Sequence, residues 1–221
     1  MSVDKPVRKQ QAEILQNGIN ELGLSITDQQ QQEMLDYLGL LEKWNKAYNL
    51  TAVRDPLQMV TRHLLDSLTV VPYIKGARIL DVGAGAGLPG IPLAILFPEI
   101  QFVLLDSSSK KTRFMTQAMG TLAISNVEVH NGRVEAYLIG AGPEALFDQI
   151  ASRAFAEISL MVTLTKHLLA PKGEWLAMKG QYPTAELAVL EKLCGAFEVS
   201  TVAVPGDDAA RHIVQLKPKI D

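Results

Sequence analysis

Two patterns of hydrophobic and polar positions divide the chain. Up to about residue 75, apolar side chains recur every three or four positions, which predicts amphipathic helices. From residue 78 onward, short apolar runs alternate with helix-like stretches, which predicts successive strand and helix units. We therefore expect an N-terminal helical extension over residues 1–75 and an α/β domain over residues 76–221.

Capping residues and prolines set the expected limits of the N-terminal helices. Residues 11–22 form one amphipathic stretch, and Thr27 with Asp28 can begin a second helix. The segment 49–51 interrupts that pattern. A third helix should begin at Asp55 and Pro56 and end at Pro72.

The second part of the chain predicts a seven-stranded sheet. Strands are expected at Arg78–Val82, Gln101–Asp106, Val127–Asn131, Phe147–Ser152, Glu174–Met178, Phe197–Val204 and His212–Leu216. Helices are expected at Ile91–Phe97, Lys111–Gly120, Arg133–Ile139, Glu157–Leu169 and Ala185–Cys194. Alternating units of this kind form a mostly parallel sheet with helices on both faces, and the last two strands can close as a hairpin at Pro205–Asp208.

A glycine-rich segment follows the first strand and indicates a ligand. Gly83, Gly85 and Gly87 alternate with small residues before the next helix. Glycine permits a sharp turn and a close approach of a ligand to the backbone, and the amides of the helix N-terminus then face that ligand. Asp106 ends the second strand about 20 residues further on, where a carboxylate holds ribose hydroxyls. Together these features predict a cofactor that contains adenosine.

The spacing of the glycines indicates which cofactor it is. Dinucleotide folds require G-x-G-x-x-G, whereas here the spacing is G-x-G-x-G and Leu88 occupies the sixth position. Asp81 lies two residues before the first glycine. This pattern resembles motif I of S-adenosylmethionine-dependent methyltransferases, whose cofactor carries an ammonium group that suits a nearby carboxylate. The resemblance implies a Rossmann-like class I methyltransferase fold, with the seven-stranded sheet and the N-terminal extension already described.

Composition narrows the remaining possibilities. The chain has 221 residues, a formal net charge of −3 and a single cysteine, Cys194. One cysteine excludes an intramolecular disulfide and a cysteine-based zinc cluster. No apolar run reaches the ~20 residues that span a bilayer, and the first residues lack the apolar core of a signal peptide. We expect a cytoplasmic protein with no membrane partner and no metal, in which any RNA-binding surface is local.

The catalytic side chains that the sequence lacks limit the methylation reactions open to this chain. Cys194 lies in a late helix, where a small core residue is more plausible than a nucleophile. The loop after the fourth strand has Phe155 but no Pro-Pro pair, which argues against methylation of an exocyclic amine. The histidines are scattered, so no catalytic general base is expected, and Arg153 can serve at most to orient a group. Glu135 can accept hydrogen bonds from an adenine amine or simply begin a helix, and the sequence leaves both open.

Several longer segments are similar to one family. They are Trp44–Pro56, Arg62–Leu68, Leu80–Ala94, Leu104–Phe114, Gly132–Glu135 and Ser152–Ala156. They resemble the glucose-inhibited division protein B family, the bacterial 16S rRNA guanine-N7 methyltransferases, over about residues 30 to 180. The resemblance implies methylation of N7 of a guanine in the decoding-site loop of 16S rRNA, with S-adenosyl-L-methionine as donor. It implies cofactor contacts at Gly83, Leu88, Val134, Glu135 and Arg153, in addition to Asp81, Gly85 and Asp106 already indicated by motif I.

Given this resemblance, several basic residues are candidates for RNA binding. The expected RNA-binding residues are Lys46, Arg54, Arg62, Lys110 and Arg113, because such clusters contact phosphates. Trp44, Tyr48 and Phe155 can stack on a base, although Trp44 also fits the apolar stripe of its helix. The expected partner is 16S rRNA or the small ribosomal subunit.

Three other functions compete with this hypothesis. A small-molecule methyltransferase would share the cofactor site but would have a closed, apolar acceptor pocket. A nucleotide-binding dehydrogenase is disfavoured by the glycine spacing. A non-enzymatic RNA-binding or division-related protein would bind the cofactor without turnover on RNA.

Overall fold

The computed structural model describes residues 5–138, 140, 145–153, 155 and 157–219. Within these residues, seven strands form one sheet. The strands are β1 (Arg78–Val82), β2 (Gln101–Asp106), β3 (Val127–Asn131), β4 (Phe147–Ser152), β5 (Leu169–Lys179), β6 (Ala196–Val204) and β7 (Asp207–Lys217). The first four have the predicted limits. The other three are longer than predicted, and β5 begins five residues earlier.

The sheet is mostly parallel, as predicted. Its order is β3-β2-β1-β4-β5-β7-β6, and the first five strands in this order are parallel. Strand β7 is antiparallel to both β5 and β6, so the last two strands form the predicted hairpin at the edge of the sheet. The direction of winding reverses between β1 and β4, and ligands of open α/β sheets bind at such a point, outside the carboxyl ends of the strands.

Two of the N-terminal helices begin where capping residues predict, at Thr27 and Asp55, whereas the first begins at Lys5, six residues before the predicted stretch 11–22. They are α1 (Lys5–Glu21), α2 (Asp28–Tyr48), α3 (Pro56–Met59), a π-helical turn (Val60–Leu65) and α4 (Asp66–Leu68). Thr27 caps α2 by accepting from the Gln30 amide, and Asn49 ends it with a φ of 50°. Asp55 caps α3 in the same way. The π-helical turn is a departure from the regular helix expected between Asp55 and Pro72.

Two of the helices predicted between the strands differ from those in the structure. The remaining helices are α5 (Gly90–Leu96), α6 (Ser109–Leu122), α7 (Ile158–Thr165) and α8 (Thr184–Leu193). The helix predicted over residues 133–139 is wrong: only a 3₁₀ turn, Val134–Ala136, forms there, and Tyr137 is extended. Ile139 lies outside the described residues. The helix predicted to reach Leu169 ends at Thr165 and a 3₁₀ turn follows, because Leu169 already pairs with Phe147 in the sheet.

Hydrophobic side chains form two clusters, one on each face of the sheet. The larger cluster contains residues of α1, α2 and the π-helical turn together with α5, α6 and β2, such as Leu15, Leu41, Leu64, Ile91 and Phe102. The smaller one packs β4, β5 and β7 against α7 and α8, and it contains the buried Cys194. The N-terminal helices share their core with the sheet, and the division of the chain near residue 75 stays a prediction.

Candidate functional site

The glycine loop after β1 is held by the next strand. Gly83, Gly85 and Gly87 have φ values of 72°, 63° and 88°, which side chains with a Cβ rarely adopt. The amides of Gly83 and Ala84 donate to the carbonyl of Leu105, and the amide of Gly85 donates to Asp106 Oδ2 at 2.9 Å. The loop is therefore fixed to the carboxyl end of β2.

Asp81 lies behind this loop and not in front of it. Its side chain is buried, and Oδ2 accepts from the Gly90 amide at 2.9 Å. Oδ1 has no hydrogen-bond partner among the described residues. Burial raises the pKa of Asp81 to about 7, against the lowering influence of the Gly90 amide and of Arg153. Asp81 thus fastens the start of α5 to β1.

A cavity of about 520 Å³ opens in front of the glycine loop. Its wall comprises Val82 and Gly83, residues 105–107 at the end of β2, Lys111, residues 132–135 after β3, Phe155, and Leu160 and Leu164 of α7. A Cβ built on Gly83 would come near only Phe155, at 3.9 Å, so that this position faces open space. An apolar cavity of this size with a few polar groups is typical of a small-ligand site.

The polar side of the cavity is set by Asp106. Its two oxygens accept from the amides of Gly85 and Ser108 at 2.9 and 2.8 Å, and Lys111 Nζ lies 3.7 Å from Oδ2. Each carboxylate oxygen has two lone pairs, so each keeps one for a ligand hydroxyl. Glu135 is exposed at the opposite end, next to the buried Val134.

The residues expected to hold the cofactor fall into two groups. Gly83, Asp106, Val134 and Glu135 line the cavity. Four others do not line it: Asp81, Gly85, Leu88 and Arg153. Leu88 is buried in the larger hydrophobic cluster, and Gly85 acts through its bond to Asp106.

Arg153 lies in a second, polar cleft. Its Nη1 donates to the carbonyl of Arg62 at 3.1 Å and to Asp66 Oδ2 at 3.2 Å. Phe155, two residues further on, lines the first cavity. The segment after β4 therefore contributes to both sites; Ala154 and Ala156 of the same signature lie outside the described residues.

The residues expected to bind RNA are distributed over three places. Arg54 and Lys110 both bond at the end of α2, to the Asn49 side chain at 2.6 Å and to the Tyr48 carbonyl at 3.1 Å. Lys46 forms an ion pair with Glu42 on the same helix. Arg113 lines a shallow groove beside Trp44. Arg62 lies apart from these, in the polar cleft with Arg153.

The aromatic residues show both expected behaviours. The Trp44 ring lies 5.8 Å from Phe114 and packs against the larger hydrophobic cluster, which confirms its assignment to the core. Tyr48 is about half exposed, and its ring lies 5.0 Å from that of Trp44. Tyr48 is therefore accessible for stacking, whereas Phe155 is partly buried in the wall of the cavity in front of the glycine loop.

His63 is buried beneath the polar cleft and is not placed for proton transfer to a ligand. Its Nδ1 donates to the carbonyl of Arg62, which leaves Nε2 to accept from the Thr51 hydroxyl, each at 3.0 Å. Burial and the nearby Arg153 charge lower the pKa of His63 to about 4. This histidine is neutral in the folded protein at neutral pH.

Four charged residues of the polar cleft escaped the sequence prediction: Asp66, Lys179, Asp207 and Arg211. Arg211 is remote in the chain, and no local pattern places it near Asp66. The available signal was Asp66 itself, a carboxylate that follows two leucines in the segment 64–68.

The fold is that of Rossmann-like methyltransferases. A methyltransferase from Aquifex aeolicus described as SAM-dependent superposes with a TM-score of 0.56 at 18% identity, covering 76% of this chain and 96% of that one. The protein PigF, solved with SAH, has a TM-score of 0.54 at 12% identity and covers 73% of this chain and 57% of that one. At these identities the likeness shows the fold alone.

Sequence comparison gives the family. The family model described as rRNA small subunit methyltransferase G matches residues 30–214. Ribosomal RNA small subunit methyltransferase G of Ectopseudomonas mendocina is 49% identical over 216 residues, which are 97% of this chain and 99% of that protein. The protein of the same name in Pseudomonas aeruginosa PAO1 is 50% identical over 212 residues, covering 96% and 97% of the two chains. The chain belongs to the rRNA small subunit methyltransferase G family.

The described residues contain neither a membrane-spanning helix nor a cluster of metal ligands. No described helix combines the length and apolar character needed to cross a membrane. No group of three or more histidine, cysteine, aspartate or glutamate side chains among those residues is arranged to hold a metal ion.

Proposed function

We propose that this protein transfers a methyl group from S-adenosyl-L-methionine to N7 of a specific guanine in 16S rRNA. Family membership supports the class of reaction and the RNA. The observation that carries the proposal is the cavity between the glycine loop and Asp106, which meets a basic cleft at Arg153. The proposed partner is 16S rRNA or the small subunit, and the proposed compartment is the cytoplasm.

The cavity fits the donor in shape and polarity. In this proposal, Asp106 offers one free lone pair on each oxygen to the ribose hydroxyls, and Glu135, which lines the same cavity, accepts from the exocyclic amine of adenine. Val134, Leu105 and Phe155 provide apolar walls for a planar ring. Gly83 leaves open space where a side chain would intrude.

Three of the remaining residues predicted to bind the cofactor hold the glycine loop in place without lining the cavity. Asp81 holds Gly90, Gly85 holds Asp106, and Leu88 anchors the loop in the core. We propose that these three position Gly83, and that Arg153 borders the site from the side of the cleft. A bound donor supplies an electrophilic methyl group on a sulfonium.

The residues around the two sites suit an acceptor that needs no deprotonation. No histidine is among the described residues that line either site, and the pKa of buried His63 is lowered to about 4. Guanine N7 has a free lone pair in the plane of the ring. Alignment of the acceptor is therefore the main contribution that this chain must make.

The experiment is a transfer of labelled methyl groups. The protein is incubated with radiolabelled S-adenosylmethionine and, in parallel, naked 16S rRNA, small subunits or whole ribosomes. We expect label in 16S rRNA from at least one of these preparations and none in 23S rRNA, while an Asp106→Ala variant that still folds should transfer far less. Label in a low-molecular-weight acceptor, with none in any RNA, would support the small-molecule alternative instead.

A further inference from the structure

The polar cleft beside the cofactor cavity has the features of a phosphate site. It has a volume of about 430 Å³ and is lined by four cationic side chains: Arg62, Arg153, Lys179 and Arg211. Two carboxylates, those of Asp66 and Asp207, face the same cleft. The cations therefore outnumber the carboxylates in its lining, although the chain as a whole has a net charge of −3.

The cleft is assembled from distant parts of the chain. Arg62 lies in the π-helical turn, Arg153 follows β4, Lys179 ends β5 and Arg211 belongs to β7. A Cβ built on Gly206, in the turn between β6 and β7, would lie 3.4 Å from Thr61 Oγ1. The C-terminal hairpin thus packs directly against the π-helical turn and closes one side of the cleft. Helical turns of this kind occur frequently at functional sites.

Asp66 is the centre of the arrangement. Its side chain is only 8% exposed, and each of its oxygens meets one guanidinium: Oδ2 lies 3.2 Å from Arg153 Nη1 and Oδ1 lies 2.9 Å from Arg211 Nε. A second carboxylate oxygen, Asp207 Oδ2, lies 2.9 Å from Arg211 Nη2. One buried carboxylate therefore fixes two arginines, and neither can reorient without leaving a charge unpaired.

Part of this positive charge is left for a ligand. Arg62 is exposed, and within the described ranges no carboxylate lies within ion-pair distance of its side chain. Its carbonyl, in contrast, is engaged by Arg153. Arginine carries a planar fork of donors that matches a phosphate, and arginine and lysine side chains make many of the phosphate contacts in nucleic-acid complexes.

We propose that this cleft binds a backbone phosphate of the RNA next to the methylated guanosine. Arg62 contacts the phosphate, Arg211 supplies positive charge, and Asp66 is a positioning residue that holds Arg211 and Arg153. The proposal rests on the proposed function, because it takes the substrate to be RNA. It also gives the C-terminal hairpin a role that the sequence left open.

The test compares variants for binding of a 16S rRNA fragment and of the donor product S-adenosylhomocysteine. Arg62→Gln removes a charge without breaking an ion pair, and Arg211→Gln removes one that Asp66 holds. The matched control is Lys172→Gln, which makes the same change of charge at the amino end of β5, away from the cleft. Thermal unfolding of each variant checks that it folds.

We expect Arg62→Gln to weaken RNA binding roughly three- to ten-fold and to reduce the slope of log K against log salt by about one. Arg211→Gln should act in the same direction, and the control and all affinities for S-adenosylhomocysteine should be unchanged. Unchanged RNA affinity and slope in both cleft variants would overturn the proposal, as would a loss of S-adenosylhomocysteine affinity with normal RNA binding, because the cleft would then belong to the donor.

Failure of this proposal and of the proposed function are distinguishable. If wild-type protein methylates 16S rRNA and both cleft variants bind RNA normally, only the phosphate site is wrong. If the wild-type protein transfers no methyl group to any RNA, but both cleft variants show the predicted weaker RNA binding and smaller salt slope, the cleft binds RNA and the proposed reaction is wrong.

Discussion

Single residues determine which surfaces of this protein meet the donor. Asp106 shows how one side chain serves two purposes: its oxygens order the backbone at Gly85 and Ser108 and still face the cavity. Asp81 and Arg153 were expected in the same wall, but the first lies behind the loop and the second in the neighbouring cleft. Each of these placements gives a measurable consequence.

Replacing Asp106 with asparagine should weaken donor binding. The change removes the charge and replaces one acceptor oxygen with an NH₂ group. This donor then faces a backbone N–H, which is also a donor. Loss of charge-assisted hydrogen bonds costs about 1.5–3 kcal/mol, or roughly ten- to hundred-fold in affinity. Calorimetric titration with S-adenosylmethionine measures this, and Glu99→Gln, in the exposed turn before β2, is the control. Equal affinity in wild type and Asp106→Asn would remove Asp106 from the site.

Asp81 should make the protein less stable as the pH rises. Its pKa is about 7 in the folded protein and about 3.8 when unfolded, so the folded state binds the proton more tightly. This contribution is fully present below the unfolded pKa and is lost as the pH rises through about 7. Between pH 5 and 6.5, wild type should lose up to about 1.4 kcal/mol per pH unit relative to Asp81→Asn. Urea unfolding at several pH values gives the comparison, and parallel curves would mean that Asp81 is ionised in the fold.

Protonation of His63 should make the protein less stable as the pH falls, which is the opposite of the effect of Asp81. Its pKa is about 4 in the folded protein, below the usual 6.5, so the unfolded state binds the proton more tightly. The stability due to neutral His63 is present above pH 6.5 and is lost as the pH falls toward 4. Relative to His63→Gln, wild type should therefore become less stable on acidification over this window. The same unfolding series checks this, and a stability difference between wild type and His63→Gln that does not change from pH 6.5 to pH 4 would contradict a buried neutral imidazole.

At the scale of elements, the packing of α5 against the sheet determines the shape of the glycine loop. A Cβ on Gly90 would run into the side chains of Leu104 and Asp81, so this first residue of α5 must approach β2 closely. Gly120, in α6, has no neighbouring atom within 4 Å of such a Cβ. The two glycines therefore form a matched pair.

Substitution of the two glycines by alanine should have opposite effects. Gly90→Ala overpacks the contact and should lower the free energy of unfolding by about 1–3 kcal/mol. Gly120→Ala fills no occupied space and should raise it by about 0.5–1 kcal/mol through helix propensity. Chemical denaturation measures both, and a Gly90→Ala protein as stable as wild type would show that α5 does not need to lie so close to β2.

Elements were predictable where a local rule determines them. Thr27, Asp55 and Pro205 begin or end elements through capping and turn chemistry. The predicted limits of β1 to β4 are confirmed, and the clearest signals are the buried apolar runs of β1 and β2. The π-helical turn was not predictable, because its sequence also fits a regular helix. The cleft was unpredictable for a different reason: it depends on Arg211 meeting Asp66 across 145 positions of the chain.

At the scale of the whole molecule, the proposed function assigns the donor and the RNA to two different sites. The cavity between β1, β2 and β3 suits the donor, and the cleft between the π-helical turn and the C-terminal hairpin suits the RNA. The segment after β4 lines both, with Phe155 in the cavity and Arg153 in the cleft, and we propose that the methyl group is transferred there. If alignment and not proton transfer is the task of this junction, as proposed, the reaction requires no group that titrates.

The rate of methyl transfer should accordingly be almost independent of pH. At saturating donor and RNA, the single-turnover rate is expected to be nearly flat between about pH 6 and 9, since a proton-transfer step is what imposes a catalytic pKa on such profiles. Saturation removes any effect of Asp81 ionisation on donor binding. A steep rise with pH that one histidine or glutamate substitution abolishes would indicate an acceptor that must be deprotonated.

The identity of the modified nucleoside tests the account most directly. 16S rRNA methylated by the purified protein is digested to nucleosides, and the product is identified by chromatography and mass spectrometry. We predict that the label is recovered as 7-methylguanosine from a single position, and that the Arg62→Gln variant forms the same nucleoside more slowly. Recovery of the label in a different nucleoside, or at many positions, would contradict the proposed reaction.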